Sequence, residues 1–416
     1  MAYEYIKASI LDIGFKPWSC HLMADIADIV VVGGGVHGAS TAWHLAKRNA
    51  GKIVLIEKDA IASGASGWSS AIVRMHYQLE SLVKVTMYGR EMYGDWENIV
   101  GVGESGFRKV GFLVLFPEDE IEHGHSVIKM QQRLGIDARY ISRDEISQIE
   151  PRLSIEDVAA GAWEPNSGYA DGSTVANSFV AAARSLGVEV RIGPEAVGLT
   201  TVDEKITGVE TSEGMIHAGT VIVEAGFRTS ALLAHHGVDL PIVPVRHAIA
   251  VVKRTQDFGD IHPVVSDRVA RAYYRPEAEN LTLLGEHDPL RGPVDEEVEV
   301  TKLPQMDEQV SLMERFSRRF PGQDSASMMR GYTGVYDCSP DFQPAFGKVQ
   351  ALDGLFVGAG FSGHGFKLSP GIGKIISDLV IDGSTDMIDV SPFRIERFAE
   401  DDLLLGGEGY SNRSLA

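Results

Sequence analysis

The sequence predicts an α/β fold in which a parallel sheet with covering helices is interrupted by a second, mainly antiparallel α+β domain. Two observations support the parallel sheet: a strand, a helix and a second strand follow one another near the start of the chain, and strands that end in glycine recur much later. A third observation supports the insertion, because long strand-like stretches without intervening helices lie between these blocks.

The first βαβ unit begins with the run 28–32, in which Asp28 is followed by four apolar β-branched residues typical of a parallel strand buried on both faces. Small and apolar residues then recur at helical spacing over residues 39–46, and Gly51 marks the end of this helix. A second strand over residues 52–56 ends at Glu57. Between the first strand and the helix, the chain has the G-x-G-x-x-G spacing at Gly33, Gly35 and Gly38.

This glycine spacing predicts a Rossmann-like dinucleotide site. Gly33 permits the tight turn, Gly35 lets the backbone approach a pyrophosphate, and Gly38 lets the helix pack on the strand. Glu57 follows at the distance where an acid accepts hydrogen bonds from ribose hydroxyls, and it disfavours a 2′-phosphate. A chance turn is the alternative, but the strand, helix and acid together make that interpretation improbable.

Two later segments favour FAD over NAD. Residues 221–226 and 354–360 each form an apolar strand that runs into glycine, and a helical pattern covers residues 372–379. A nicotinamide domain usually completes its site in one block, whereas returning segments often enclose a flavin dinucleotide. The alternative is that these two strands and the first strand of the chain are unrelated strand ends of one sheet. That interpretation does not explain why all three end in glycine.

The simplest organisation is a discontinuous cofactor domain with a second domain inserted twice. Strand patterns over residues 106–116 and 241–284 and helical patterns over residues 79–100, 121–134 and 306–320 define the insertion. The predicted ranges are an N-terminal extension (1–22), three parts of the FAD-binding domain (23–100, 146–235 and 326–416, the last with the C-terminal tail) and two parts of the substrate domain (101–145 and 236–325).

Composition excludes several classes of protein. The 416 residues carry a formal net charge of −20, which repels nucleic acid and anionic membranes. No run approaches the roughly 20 apolar residues of a membrane span. The two cysteines, Cys20 and Cys338, are too few for a disulfide framework or a zinc site, so no metal is expected and a cytoplasmic location fits best.

Four segments together resemble the D-amino-acid-oxidase superfamily of FAD-dependent oxidoreductases, with monomeric sarcosine oxidase and the dimethylglycine and sarcosine dehydrogenases as the nearest members. The similarity covers about residues 23–398, and its most specific motif is Gly-Phe-Ser-Gly-His-Gly-Phe-Lys. The segments are residues 33–38, residues 63–74, residues 221–226 and residues 358–367.

The resemblance implies an FAD-binding domain whose inserted sheet covers the flavin ring, with an amine substrate between them. It implies that Arg74 and Lys367 bind the substrate carboxylate and that His287, Tyr332 and Tyr274, or its neighbour Tyr273, line the amine pocket. From the residues alone, Arg74 could instead form an ion pair with an acid such as Glu80. The residues assigned to the cofactor are Gly33, Gly35, Val36, His37, Gly38, Glu57, Lys58, Ser63, Ser66, Ser70, Val197, Ala225, Gly226, Gly360, Gly363, His364, Gly365, Phe366 and Lys367.

Three departures from the family pattern affect the chemistry. Arg330 stands where monomeric sarcosine oxidase has its flavin-linking cysteine, and Ser69 follows Trp68 where dimethylglycine dehydrogenases have a histidine. Non-covalent FAD is therefore expected. Leu283 stands where the oxidases have a lysine that promotes reaction with oxygen, which favours a dehydrogenase slightly over an oxidase.

The resulting hypothesis is an FAD-dependent enzyme that oxidises the C–N bond of an amino acid or N-methylated amino acid to an imine, which hydrolyses. A flavin dehydrogenase of the hydroxy-acid or glycerol-phosphate type is one alternative, because Arg74 and Lys367 would bind any anion. A non-catalytic flavoprotein subunit is another. The expected partners are a small amine or amino acid and an electron-transfer protein, with no nucleic acid and no membrane span.

Overall fold

The computed structural model describes residues 25–287 and 303–404, so the extension predicted over residues 1–22 lies outside the described residues. The strands are β1 (Ile29–Val32), β2 (Ile53–Glu57), β3 (Ile72–Val73), β4 (Phe112–Phe116), β5 (Arg139–Ile141), β6 (Ala160–Glu164), β7 (Gly168–Tyr169), β8 (Glu189–Ile192), β9 (Ala196–Val202), β10 (Lys205–Thr211), β11 (Gly214–His217), β12 (Thr220–Val223), β13 (Val243–Lys253), β14 (Val264–Asp267), β15 (Ala272–Glu277), β16 (Leu281–Glu286), β17 (Ser327–Cys338), β18 (Ala345–Lys348) and β19 (Leu355–Ala359). The α-helices are α1 (Val36–Lys47), α2 (Glu80–Gly94), α3 (Trp96–Ile99), α4 (Ile121–Arg133), α5 (Arg143–Ile149), α6 (Gly172–Ser185), α7 (Thr229–Ala234), α8 (Met306–Arg319) and α9 (Gly365–Asp382).

A six-stranded sheet forms the first layer, in the order β18-β19-β12-β1-β2-β8. All neighbouring strands in it are parallel except β18 and β19. Strand β1 is buried along its whole length, as its continuous β-branched run predicts. Helices α1, α6 and α9 cover one face, while the small sheet β9–β11 packs near the other. The predicted Rossmann-like α/β fold is confirmed.

An eight-stranded sheet forms the second layer, in the order β17-β13-β16-β15-β14-β4-β6-β5. Its neighbouring strands are antiparallel except for β4 and β14. Helix α8 packs on one face of this sheet, and the other face contacts the hydrophobic cluster of the first layer. The predicted second domain, mainly antiparallel, is therefore present.

The predicted domain ranges stay a proposal, and the sheet to which two strands belong differs from these ranges. Strands β6 and β17 pair within the eight-stranded sheet, although the predicted ranges 146–235 and 326–416 placed both in the cofactor domain. The β6 sequence Ala-Gly-Ala-Trp-Glu lacks the β-branched alternation by which strands are recognised. The strand predicted over residues 106–116 is limited to β4, whereas the three helical patterns are present as α2 with α3, α4 and α8.

Within the described residues, no helix combines the length and the apolar character needed to cross a membrane. The same residues contain no cluster of histidine, cysteine or carboxylate side chains suited to hold a metal ion.

Candidate active site

A cavity of about 800 Å³ lies between the two large sheets. It starts at the carboxyl ends of the parallel strands β1, β2 and β12, where α/β sheets bind their ligands, and reaches the face of the eight-stranded sheet. The predicted site residues on its wall are Gly33, Gly35, Val36, His37, Glu57, Lys58, Ser63, Ser66, Ser70, Arg74, Val197, Ala225, Gly226, Gly363, Gly365, Phe366 and Lys367.

The glycine turn after β1 has no room for side chains. Gly33 has φ +113°, and a Cβ added there would lie 2.4 Å from the carbonyl oxygen of Glu224. A Cβ on Gly38 would lie 2.0 Å from the carbonyl oxygen of Gly33, so this residue packs α1 on the strand and does not reach the cavity wall. The backbone is thereby exposed to a ligand at the start of α1.

Glu57 lies at the end of β2, beside this turn. Its Oε2 accepts a hydrogen bond from the Gly34 amide at 2.7 Å, and its Oε1 accepts one from the Asp59 amide at 2.9 Å. Ser66 Oγ accepts a hydrogen bond from the Val36 amide at 3.0 Å, at the first turn of α1. A ribose and a pyrophosphate can therefore be held beside this turn, and Val197 also lines the cavity.

The cavity fits FAD in volume and in chemistry. Its volume lies within the range of about 300–1,000 Å³ typical of cofactor sites. His37 is half-buried and stacks on Phe361 with ring centroids 3.7 Å apart, and its two buried ring nitrogens have no hydrogen-bond partner among the described residues. Burial lowers the pKa of His37 to about 3, so the ring is neutral where it lines the cavity.

Arg74 and Lys367 meet at the end of the cavity that faces the inserted sheet. Arg74 follows β3, Lys367 lies in the first turn of α9, and each is 5% exposed. Arg74 donates a hydrogen bond to the carbonyl oxygen of His76. Both side chains lie over the ring of Tyr77, with Arg74 Cζ 4.5 Å and Lys367 Nζ 6.0 Å from its centroid. Glu80, the alternative partner of Arg74, instead pairs with Lys84 and Arg133.

The Lys367 ammonium makes no hydrogen bond or ion pair with any residue in 25–287 or 303–404. Burial, and then the positive charge of Arg74, hold the pKa of Lys367 well below its usual range. An anion bound between the two side chains would offset both effects on Lys367. Its charge would balance the positive charge of Arg74, and its hydrogen bonds would replace the water that the buried ammonium has lost. The charges at this end of the cavity therefore suit an anionic group.

Four polar side chains on the opposite wall form a hydrogen-bonded and stacked group. Tyr273 Oη lies 2.7 Å from Ser70 Oγ and 3.0 Å from His247 Nε2, and the His247 ring stacks on Tyr336 at 4.5 Å. All four residues line the cavity. Burial lowers the pKa of His247 to about 3 and raises that of Tyr273, so both are neutral.

Sequence reasoning missed His247 and Tyr336. The period-two alternation of β13 and β17 could have indicated them, since residues 245, 247 and 249 share one face of β13, as do residues 332, 334 and 336 of β17. No glycine or charge pattern marks either residue.

The assignment of Tyr274 to the pocket is wrong. Its ring packs against Phe316 and Phe320 below α8, and its hydroxyl lies 3.5 Å from Asp267 Oδ2. Because successive side chains of a strand point to opposite faces, Tyr273 faces the cavity and Tyr274 faces away from it.

Tyr332 and His287 lie one layer behind the wall. Tyr332 shares the cavity-facing side of β17 but is covered by Trp68, with ring centroids 5.8 Å apart. His287 is buried with Nε2 3.2 Å from Ser266 Oγ, and its ring lies 6.2 Å from that of Tyr273. Their assignment to the amine pocket stays a prediction.

Gly360 and His364 shape the turn before α9 and do not line the cavity. Asp337 Oδ2 accepts hydrogen bonds from the amides of Gly360 and Phe361 at 2.9 and 3.2 Å. His364 Nδ1 lies 3.2 Å from Tyr77 Oη, and its Nε2 lies 3.0 Å from the carbonyl oxygen of Phe342. Both residues therefore position the segment that carries Lys367, so their contribution to the cofactor is indirect.

The cavity, the glycine turn and the buried cations define a flavin-dinucleotide oxidoreductase. Residues 28–379 match the family model described as "FAD dependent oxidoreductase" (DAO). The chain belongs to this family, which confirms the resemblance and the FAD cofactor.

Several curated proteins and solved structures are similar to the chain. The 4-methylaminobutanoate oxidase (formaldehyde-forming) of Paenarthrobacter nicotinovorans is 28% identical over 89% of this chain and 45% of its own length. Sarcosine oxidase subunit beta of Arthrobacter sp is 25% identical over 89% of this chain and 91% of its own length. The crystal structure of L-proline dehydrogenase from P. horikoshii superposes with a TM-score of 0.83 at 26% identity, covering 92% of this chain and 100% of that one.

Some of these relatives are much longer than this chain. The chain spans 45% of the methylaminobutanoate oxidase and 41% of human mitochondrial sarcosine dehydrogenase, to which it is 24% identical over 89% of its length. The glycine oxidase of Geobacillus kaustophilus, with a TM-score of 0.78 at 23% identity over 90% of this chain and 99% of that one, shares the fold.

Proposed function

We propose that the protein oxidises the C–N bond of an amino acid or an N-methylated amino acid, with FAD as the electron acceptor. The observation that carries this proposal is the pair of buried cations, Arg74 and Lys367, at the end of the cavity that faces the inserted sheet. Two cations suit one carboxylate, and charge-assisted hydrogen bonds in such a contact are worth about 1.5–3 kcal/mol each.

The chain's own residues bind and orient the substrate in this proposal. Arg74 and Lys367 fix the carboxylate, which orients the reacting carbon within the cavity. When bound, FAD supplies a hydride acceptor. The hydride leaves the carbon, the nitrogen lone pair forms the C=N bond, and water hydrolyses the resulting iminium to a carbonyl compound and an amine.

The amine proton is not expected to pass to a side chain. His247 and Tyr273 are titratable groups on the wall opposite the two cations, and burial keeps His247 neutral with a pKa of about 3. Such a weak base cannot deprotonate an ammonium group efficiently. The substrate therefore reacts as the neutral amine, and Tyr273 and His247 act as hydrogen-bonding partners on the wall.

The names of the relatives support the substrate class. Sarcosine, dimethylglycine and 4-methylaminobutanoate, named in three of them, are carboxylates that carry an N-methyl amine. Transfer to this chain remains part of the proposal, because identities are low and some relatives are about twice as long. The cytoplasmic location and an electron-transfer protein as acceptor belong to the same proposal.

An anaerobic substrate screen tests this function. Amino acids, their N-methyl derivatives and 2-hydroxy acids are added in turn to the oxidised protein, and flavin absorbance is followed. Bleaching by an amino acid or N-methyl amino acid is expected. Bleaching by hydroxy acids alone would transfer the assignment to a hydroxy-acid dehydrogenase, and an absence of bleaching with every compound would favour a non-catalytic flavoprotein subunit.

A further inference from the structure

Tyr77 is a buried aromatic residue that contacts both cations of the carboxylate site but does not itself line the cavity. Arg74 Cζ lies 4.5 Å and Lys367 Nζ lies 6.0 Å from the centroid of its ring. A cation within about 6 Å of a ring centroid is attracted by the ring. Arg74 also lies 5.7 Å from the Phe112 ring, whereas Tyr77 is the ring that both cations share.

The Tyr77 hydroxyl is bound by His364, the residue before α9. Its oxygen lies 3.2 Å from His364 Nδ1 and 3.4 Å from the His364 carbonyl oxygen, and His364 Nε2 lies 3.0 Å from the carbonyl oxygen of Phe342. Burial, and then the positive charge of Lys367, lower the pKa of His364 to about 3, so its ring is neutral and carries one N–H.

These contacts determine the direction of the hydrogen bond. A carbonyl oxygen only accepts, so the single N–H of His364 is on Nε2 and donates to Phe342, which leaves Nδ1 as an acceptor. Burial raises the pKa of Tyr77 to about 12, so its hydroxyl keeps its proton and is the donor to His364. Donation polarises the phenol toward negative charge, which strengthens its attraction for a cation.

Tyr77 and His364 connect the two segments that carry the cations. Tyr77 lies three residues after Arg74, and His364 lies three residues before Lys367. The hydrogen bond between them therefore joins the segment after β3 to the first turn of α9. Two buried like charges repel each other, so an arrangement that keeps both in place needs such a connection.

We propose that Tyr77 is a positioning residue whose ring holds Arg74 and Lys367 in the arrangement that a carboxylate needs before the substrate binds, and that His364 holds this ring. The inference rests on the proposed function, because it assumes that the two cations bind a carboxylate. Cations that are already in place do not have to be ordered by the substrate, and this preorganisation increases affinity.

A purely packing role for Tyr77 is the alternative, because the residue also belongs to the hydrophobic cluster between the two layers. The two roles require different properties of the side chain. Packing requires apolar volume, which leucine largely supplies. Positioning requires the face of an aromatic ring, which phenylalanine supplies and leucine does not.

Binding of acetate to the FAD-loaded protein tests the proposal, since acetate has a carboxylate and no amine. Its binding is followed by the change in flavin absorbance and by competition with the substrate. The acetate dissociation constant is expected to rise about tenfold in Tyr77→Leu, or about 1.4 kcal/mol. In Tyr77→Phe, which loses only the hydrogen bond, it should rise about threefold. FAD content should not change in either variant.

Tyr88→Leu is the matched control. Tyr88 Oη lies 3.1 Å from Nε2 of the buried His44, but no cation among the described residues lies over the Tyr88 ring, and Tyr88 does not line the cavity. Acetate binding should therefore be unchanged in this variant. The hydrogen bond is tested separately by a double-mutant cycle, in which the effects of Tyr77→Phe and His364→Ala on acetate binding should not add.

The possible results separate this inference from the proposed function. Native acetate affinity in Tyr77→Leu, or an equal loss in Tyr77→Phe and Tyr77→Leu, would overturn the positioning role. If Tyr77→Leu does not fold, additive effects in the double-mutant cycle would overturn it instead. Failure of acetate to bind to the native protein at all would contradict the carboxylate site, and with it the proposed function.

Discussion

Arg74 and Lys367 lie over one aromatic ring, 4.5 Å and 6.0 Å from the centroid of Tyr77, although almost 300 residues separate them in the sequence. Strand β3 ends just before the first of them, and α9 carries the second in its first turn. Two buried cations so close together raise each other's electrostatic cost, and burial and Arg74 together lower the pKa of Lys367. An anionic substrate group is the simplest compensation for this arrangement.

Replacing Lys367 with methionine is expected to lower kcat/KM for the amino-acid substrate, because one buried cation of the carboxylate site is lost. The loss of transition-state stabilisation should be about 2–5 kcal/mol. FAD content should stay unchanged. Lys374→Met is the matched control, since Lys374 lies on the same helix but pairs with Asp378 away from the cavity. Steady-state kinetics check this, and equal losses in both variants would contradict the assignment.

The pH profile of kcat/KM is expected to be bell-shaped. Activity rises with pH as the substrate amine loses its proton, and it falls again when Lys367 deprotonates, at a pH well below the usual lysine range. Lys367→Arg should remove the alkaline limb, because a guanidinium stays charged at every accessible pH. An alkaline limb that is unchanged in this variant would assign it to another group.

FAD is expected to be bound without a covalent link. Arg330 is exposed on β17, and Cys338, the cysteine within the described residues, is buried with its pKa raised to about 12. Such a thiol is a poor nucleophile. Acid precipitation should therefore release yellow flavin into the supernatant. Colour that remains with the unfolded pellet would contradict this prediction.

Oxygen is expected to be a poor electron acceptor. Leu283, 4% exposed, lies on β16 opposite Arg275, whose charge is neutralised by an ion pair with Glu277. Loss of a cation that stabilises developing negative charge typically costs several kcal/mol. Dye reduction should therefore exceed peroxide production at least about tenfold, or about 1.4 kcal/mol.

A pair of variants tests this explanation directly. Leu283→Lys should raise the peroxide rate relative to the dye rate, whereas Leu283→Met should leave the ratio unchanged. Comparable native rates with air and with dye would show that another cation takes this role.

The cofactor half of the site could be predicted from sequence because its signals are local. The glycines after β1 and the acid at the end of β2 lie within one βαβ unit, and the backbone geometry they require is visible in the residue types. Lys367 and Arg74 were found through family resemblance, since a lysine in the first turn of a helix is usually exposed.

The substrate wall could not be predicted in the same way. Its residues come from β13, β15 and β17, and which of two adjacent aromatic residues faces the cavity depends on strand register. Tyr273 and Tyr274 differ only in this respect.

The most direct test of the carboxylate site compares an amino-acid substrate with its decarboxylated amine in single-turnover flavin reduction under anaerobic conditions. The native protein should reduce its flavin far faster with the amino acid. In Arg74→Met the two compounds should react at similar rates, and Arg74→Lys, which keeps the charge, should retain part of the difference. Full discrimination in Arg74→Met, or failure of both variants to fold, would show that Arg74 is structural and would contradict the proposed substrate class.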